Sequence, residues 1–172
     1  MNETMKTLLE RRSVRAYTSE PVDPQLIEQI VQAGQYAASG RGKQSAYFLV
    51  ITNPELSDHI REENRKIGGW EEGFDPFYGA PVIIAVGADK SIPTHIYDGS
   101  LALGNMMLAA KSLGLGTCWI HRAKEEFEEP FFQQLLEGLP ELEGIGFLAL
   151  GHPAKPDQPA AKRQDNRVRY FQ

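Results

Sequence analysis

Four apolar runs, each about as long as a β-strand, are the feature that most constrains the fold of this sequence. They occupy residues 47–51, 81–86, 116–120 and 146–151. They do not alternate with polar residues, which is typical of strands buried on both faces of a sheet. The chain does not begin with a strand, so a simple doubly wound nucleotide-binding fold fits poorly. We therefore predict a sheet with helices on both faces.

Helical spacing of apolar residues predicts five helices between and before these strands. Asn2, Asp23 and Asn53 are candidate N-caps, and proline follows two of them at the first helical position. The fourth helix is apolar nearly all round, as expected of a central helix that is buried on several sides. The predicted helices cover residues 2–12, 24–38, 54–67, 94–113 and 124–137, the last with a break at Pro130.

The composition predicts one globular domain over residues 1–172, in which 152–172 form an extended C-terminal arm. Lys and Arg number 18 against 23 Asp and Glu, and the resulting net charge of -5 argues against general nucleic-acid binding. No apolar run has the length of a membrane span. The single cysteine suits a reducing compartment, so we expect a cytoplasmic protein.

A basic cluster stands out in this acidic chain at Arg11, Arg12, Ser13 and Arg15. Guanidinium groups match phosphate oxygens two at a time, and a serine hydroxyl adds a donor. The cluster follows a predicted helix, whose C-terminal end carries partial negative charge, so a phosphate held here needs cations. A solvated basic helix end is the alternative interpretation.

Further donors lie in the polar loop 39–44 and, near the other end of the chain, at Lys162 and Arg163. If these groups converge on one ligand, it carries a phosphate and polar edges, and redox chemistry would belong to that cofactor.

Other candidate motifs do not match their required patterns. The segment that begins at Gly114 has Trp119 where a dinucleotide fingerprint needs its third glycine, and Cys118 with His121 is too few ligands for a metal site.

In order along the chain, these segments resemble the FMN-dependent nitroreductase family, in particular its short bacterial members. The segments that carry the resemblance are 11–17 (RRSVRAY), 37–44 (AASGRGKQ), 79–84 (GAPVII), 105–110 (NMMLAA), 113–120 (LGLGTCWI) and 162–166 (KRQDN). The resemblance implies an α+β fold with a central mixed sheet flanked by helices. It also implies an intertwined homodimer with FMN at the interface.

The resemblance further implies an oxidoreductase that takes hydride from NAD(P)H and reduces nitroaromatic, quinone or similar electron-poor acceptors by a ping-pong mechanism. No side chain would be catalytic, because flavin N5 carries the chemistry. Arg11, Ser13 and Arg15 would contact the phosphate, ribityl chain and pyrimidine edge, and Arg12 would line the same pocket. The other implied FMN contacts are Lys162 and Arg163 at the phosphate, Ala38, Ser39, Gly40 and Gln44 from the second subunit, Trp119, Ile120 and His121 beside the ring, and Asn64 at the pyrimidine edge.

Some alternatives stay open. The loop at 68–79 is either a substrate lid or only packing. Many relatives carry proline, asparagine and an aromatic residue where this chain has Ala38, Gly42 and Ala46. Arg41 and Lys43 add positive charge near the mouth of the site, which predicts a preference for anionic or electron-poor substrates. A flavoprotein with other chemistry (reductive dehalogenation or flavin breakdown), a flavin carrier and a phosphate-binding scaffold are the competing functions. The sequence does not decide the acceptor or the choice between NADH and NADPH.

Overall fold

The computed structural model describes all 172 residues and contains six α-helices and one four-stranded sheet. The helices are α1 (Glu3–Glu10), α2 (Pro24–Gln35), α3 (Pro54–Gly68), α4 (His95–Ser112), α5 (Ala123–Glu126) and α6 (Pro130–Leu135). The strands are β1 (Ala46–Ile51), β2 (Val82–Asp89), β3 (Gly116–Ile120) and β4 (Leu142–Gly151). The order of elements is the predicted one, and the α+β class is confirmed. No helix combines the length and the apolar character that a membrane span requires.

The sheet has the order β1-β2-β4-β3, and each neighbouring pair is antiparallel. The expectation of a mixed sheet is therefore wrong for these strands. The only parallel pairing is an isolated bridge between Ser13 and Thr117. Connections that contain a helix are long enough to join strands in either direction, so the sequence pattern does not determine this feature.

Helices cover both faces of the sheet, as predicted. On β2, Ile83 belongs to a core cluster with Phe77, Phe127 and Phe147, whereas Ile84 belongs to a second cluster. The second cluster contains Ile30 of α2 and the α4 residues Leu103 and Met106. Successive side chains of a strand point to opposite faces, so each apolar run supplies both cores.

Three predicted helices end earlier than expected, and the last of them, α6, ends at Leu135 and not at 137. Helix α1 ends at Glu10 and not near Arg12, and Arg11 is its C-cap. Helix α2 ends at Gln35 and not at Ala38, which leaves residues 36–45 as a loop with one short 3₁₀ turn. The caps at Asn2, Asp23 and Asn53 are confirmed, since each side chain accepts a hydrogen bond from the first turn.

Within one chain, helix α4 is buried on one side, and its other side is open. Tyr97 and Leu101 are 70% and 50% exposed, and α1 contributes no buried residue although it carries Met5, Leu8 and Leu9.

The arm begins at the sheet, where Ala154 N donates to Ala16 O at 2.9 Å. Its residues from 155 onward are exposed.

Candidate functional site

The arginine-rich segment runs along the edge of the sheet beside β3. Val14 N donates to Thr117 O at 2.9 Å, next to the bridge between Ser13 and Thr117. The Tyr17 hydroxyl donates to Val14 O at 2.9 Å and closes the segment on itself. These bonds fix the backbone of residues 13–17. They do not provide hydrogen-bond acceptors for the arginine side chains.

The guanidinium groups of Arg11 and Arg12 are only partly satisfied. Arg12 Nη1 donates to Leu9 O at 2.9 Å and to Arg11 O at 2.6 Å. Arg11 Nη1 and Arg12 Nε are buried and have no hydrogen-bond partner. Unpaired buried donors of a charged group are costly, whereas anionic oxygens would satisfy them with charge-assisted bonds. A recess of about 60 Å³ beside them has room for anion oxygens. Lys111 and Asp157 also line it, and Lys111 Nζ donates to Asp157 Oδ2 at 2.6 Å.

Arg15 lies close enough to Cys118 and Tyr17 to affect the pKa of both side chains. Burial raises the pKa of the Cys118 thiol, and Arg15, Ser13 and Arg11 act in the opposite direction. Burial also raises the pKa of Tyr17 far above its usual value, with a further rise from Cys118 and a lowering by Arg15. A buried thiol with a raised pKa is a poor nucleophile, so Cys118 has no evident catalytic role.

Trp119, Ile120 and His121 follow Thr117, the β3 residue that bridges to Ser13. Trp119 is 37% exposed between two buried neighbours, and its indole lies over Gly146, where an added Cβ would come within 2.2 Å of Nε1. The Ile120 side chain belongs to the core, so only its backbone is available to a ligand. His121 is exposed. The structure therefore brings the arginine segment together with Trp119–His121.

Asn64 does not lie where its predicted contact with the flavin pyrimidine edge would require. Its side chain is 0% exposed. Its Nδ2 donates to His121 O at 2.9 Å and to Glu126 Oε2 at 3.0 Å. An amide so deep in the protein cannot contact a bound ligand directly, and its contact with the site runs through the His121 backbone.

The loop that contains Ala38, Ser39, Gly40 and Gln44 is held by a residue that the sequence analysis missed. Asp98, 4% exposed in the first turn of α4, accepts hydrogen bonds from Ser45 Oγ at 2.7 Å, Gly40 N at 3.0 Å and Thr94 Oγ1 at 3.1 Å. Burial would raise the pKa of Asp98, but these bonds outweigh it and hold the pKa below its usual range. The sequence carried one signal for this role, because Asp98 is an acidic residue in the first turn of the most apolar helix.

Glycine is required at position 40 for close packing. A Cβ there would lie 2.2 Å from Thr94 Oγ1. Within the loop, Gln44 N donates to Ser39 Oγ at 3.0 Å. The loop lines a groove of about 980 Å³ together with residues of α2, β1 and α4. That volume is at the upper end of those typical of ligand sites.

Within one chain, this loop and the arginine segment do not meet. The loop leads into β1 and the arginine segment lies beside β3, at opposite edges of the sheet. Three strand spacings separate those edges by roughly 14 Å. Lys162 and Arg163 are exposed in the arm, where Lys162 forms an ion pair with Asp165 at 3.8 Å.

Comparison with known proteins identifies the class. The profile of the Nitroreductase family matches residues 8–152. The chain therefore belongs to the Nitroreductase family, which confirms the resemblance seen in its motifs.

Individual relatives agree with this assignment. The chain is 30% identical over 176 residues to FMN reductase (NAD(P)H) of Bacillus subtilis (strain 168), covering 90% of this chain and 67% of that protein. It is 30% identical over 175 residues to NADPH-flavin oxidoreductase of Vibrio harveyi, covering 93% and 72%. It superposes with a TM-score of 0.88 on a nitroreductase with bound FMN from Bacteroides fragilis NCTC 9343, at 27% identity and 100% coverage of both chains.

Proposed function

We propose that this protein is an FMN-dependent oxidoreductase that takes electrons from NAD(P)H and passes them to nitroaromatic, quinone or similar electron-poor acceptors. Family membership and the names of its relatives support the enzyme class and the cofactor. We propose that residues 1–172 act as one FMN-binding domain. We expect the cytoplasm as its location.

The observation that carries this proposal is the pair of buried, unpartnered donors on Arg11 and Arg12. They fit the phosphate of FMN, and we propose that Ser13 and Arg15 contact the same ligand. The end of β3 at Trp119–His121 lies beside them and offers a partly exposed indole. When bound, FMN would supply a reversible hydride carrier, while the protein binds, orients and shields the reactants.

A second copy of the chain would complete the site. We propose that Ala38, Ser39, Gly40 and Gln44 of one subunit approach the arginine segment of its partner. Lys162 and Arg163 of an arm would add cations at the phosphate. The separation of these groups at opposite edges of one sheet supports this arrangement, because no single chain can close it without refolding.

The exposed apolar surface also supports a homodimer. Tyr97, Leu101, Gly104 and Leu108 follow helical spacing along the open side of α4, and a Cβ on Gly104 would meet no atom within 4 Å. Met5, Leu8 and Leu9 add the exposed side of α1, which contacts α4. Contiguous apolar faces of this kind mark protein interfaces. Isologous pairing through α4 would bury them.

We propose that the loop after α3 forms the substrate side of the site. Trp70 and Phe74 have ring centroids 5.4 Å apart, and Phe74 and Tyr78 are 6.4 Å apart in an edge-to-face arrangement. Tyr78 acts on the pKa of Tyr17, so this row of rings begins close to the arginine segment. It suits flat aromatic acceptors that share one space with the nicotinamide in turn, as a ping-pong mechanism requires.

The test begins with the colour of the purified protein. Yellow protein that bleaches anaerobically with NADH or NADPH, and recovers colour with a nitroaromatic or quinone, supports the reductase. Yellow protein that does not bleach favours a carrier, reductive dehalogenation or flavin breakdown. Colourless protein that cannot take up FMN favours a phosphate-binding scaffold and overturns the proposal.

Arg11→Ala is the matched site variant, with Lys155→Ala in the exposed arm as control. Losing two or more charge-assisted bonds at roughly 1.5 kcal/mol each should weaken FMN binding by about 100-fold. Fluorescence titration measures this affinity. Equal FMN affinity in both variants would contradict the role given to Arg11.

A further inference from the structure

Two buried polar side chains lie behind the end of β3. Asn64 on α3 and Glu126 at the end of α5 are 0% and 1% exposed. Asn64 Nδ2 donates to Glu126 Oε2 at 3.0 Å and to the His121 carbonyl at 2.9 Å. One amide group thus joins a buried acid to the backbone of the segment proposed to lie beside the flavin.

The remaining two oxygens of this pair have no partner. Asn64 Oδ1 and Glu126 Oε1 are both buried and unbonded. An amide oxygen and a carboxylate oxygen only accept hydrogen bonds, so they cannot satisfy each other while Glu126 is ionised. A proton on Oε1 changes this. Nδ2 can then donate to Oε2 while Oε1 donates to Oδ1, and one proton satisfies both oxygens in a two-bond ring.

The surroundings also disfavour a charge on Glu126. Burial is the largest cause that raises the pKa of Glu126 to about 8, the Asn64 N–H acts in the opposite direction, and Glu63 and Glu129 raise it further. Helix α6 carries no charged residue. The nearby lysines and arginines are already paired: Arg65 with Glu62 at 2.8 Å, Lys66 with Glu63 at 2.8 Å, Arg122 with Glu125 at 2.9 Å, and Lys124 with Glu143 at 3.0 Å. The exposed His121 side chain acts on the pKa of Glu125.

The packed strands add no cation either. On β2, Asp89 accepts from Ser91 N at 2.8 Å, and on β4, Glu143 also contacts His95 at 3.2 Å. We infer that Glu126 is a neutral carboxylic acid that forms an acid–amide pair with Asn64, and that this pair is the positioning element for the His121 carbonyl. The part of this inference that concerns flavin binding rests on the proposed function. Ionisation of Glu126 opens the ring and loosens the end of β3.

The pair is tested first in flavin-free protein by infrared spectroscopy. Wild type at pH 6 should show the carbonyl stretch of a protonated carboxylic acid, and this band should vanish as the pH passes about 8. Glu126→Gln keeps the shape and neutrality and should lack the band. Glu125→Gln, which removes an exposed surface carboxylate one position away, should keep it. Wild type without the band at pH 6 overturns the inference.

Unfolding gives a second measurement with a definite sign. Between the usual pKa of a glutamate and about 8, folded Glu126 holds a proton that the unfolded chain has released. Stability therefore falls as the pH rises through this range, and the unfolding equilibrium constant grows by up to tenfold per pH unit. Glu126→Gln should lose that dependence and Glu125→Gln should retain it. Equal slopes in Glu126→Gln and wild type contradict a neutral acid.

The positioning role is tested by FMN titration at pH 7 and 9.5, where the FMN phosphate is ionised at both values. Wild type should bind severalfold more weakly at pH 9.5, whereas Glu126→Gln should bind alike at both. An equal loss of affinity in Glu126→Gln overturns the positioning role. Should no variant bind FMN at any pH, the proposed function fails, and the infrared and unfolding measurements still decide the neutral pair.

Discussion

Replacing Asp98 with asparagine tests how the loop at 36–45 is held. The carboxylate is 4% exposed and accepts three hydrogen bonds, from Ser45, Gly40 and Thr94. Hydrogen bonds to a charged group contribute roughly 1.5–3 kcal/mol each. Asparagine keeps one acceptor oxygen and turns an NH₂ group toward the remaining donors. Losing one to two of these bonds should lower the free energy of unfolding by about 2–4 kcal/mol.

The assay is urea denaturation of flavin-free protein at pH 7. The midpoint should fall while the dependence on urea stays the same, because the surface exposed on unfolding does not change. Asp58→Asn, which neutralises an exposed carboxylate on α3, is the control and should shift stability by less than about 0.5 kcal/mol.

The pH dependence of the same variant gives a signed check. The pKa of Asp98 is held below its usual range, so its contribution is present above the unfolded pKa near 4. It is lost as the pH falls from there through the folded pKa. The difference between Asp98→Asn and wild type should therefore shrink in acid. A variant as stable as wild type at pH 7 would refute this account of the loop, and so would a deficit that persists undiminished in acid.

Three further predictions concern the cofactor, the substrate and the interface. Arg15→Ala should lower the potential of the bound flavin by about 20 mV, equivalent to ~1 kcal/mol for a two-electron couple, because a cation nearby stabilises the added negative charge; spectroelectrochemistry that finds no change would remove that role. Arg41→Ala should reduce the kcat/KM ratio of a carboxylated to a matched neutral nitroaromatic severalfold, and an unaltered ratio would retire the substrate preference. Leu101→Asp, on the exposed side of α4, should shift the protein to monomer in sedimentation and weaken FMN uptake; an intact dimer would place the interface elsewhere.

Much of the fold follows from local chemistry. Apolar runs without alternation require a sheet covered on both faces, and Ile83 and Ile84 accordingly supply opposite cores. Asn2, Asp23 and Asn53 bond to the first turns of their helices, an interaction within four residues that any reader of the chain can predict. The cofactor class came from the arginine cluster and the motif order, since residue types and their spacing are enough to resemble a family.

Contacts between residues far apart in sequence could be identified only in the folded structure. The sequence alone predicted the strands, most helices and the family. Only the tertiary structure showed that the strands run antiparallel, that Asp98 anchors a loop 58 positions away, and that Asn64 binds Glu126 inside the protein. Hydrogen-bond partners far apart in sequence leave no periodic signal, because what brings them together is the packing of whole elements rather than the residues beside them.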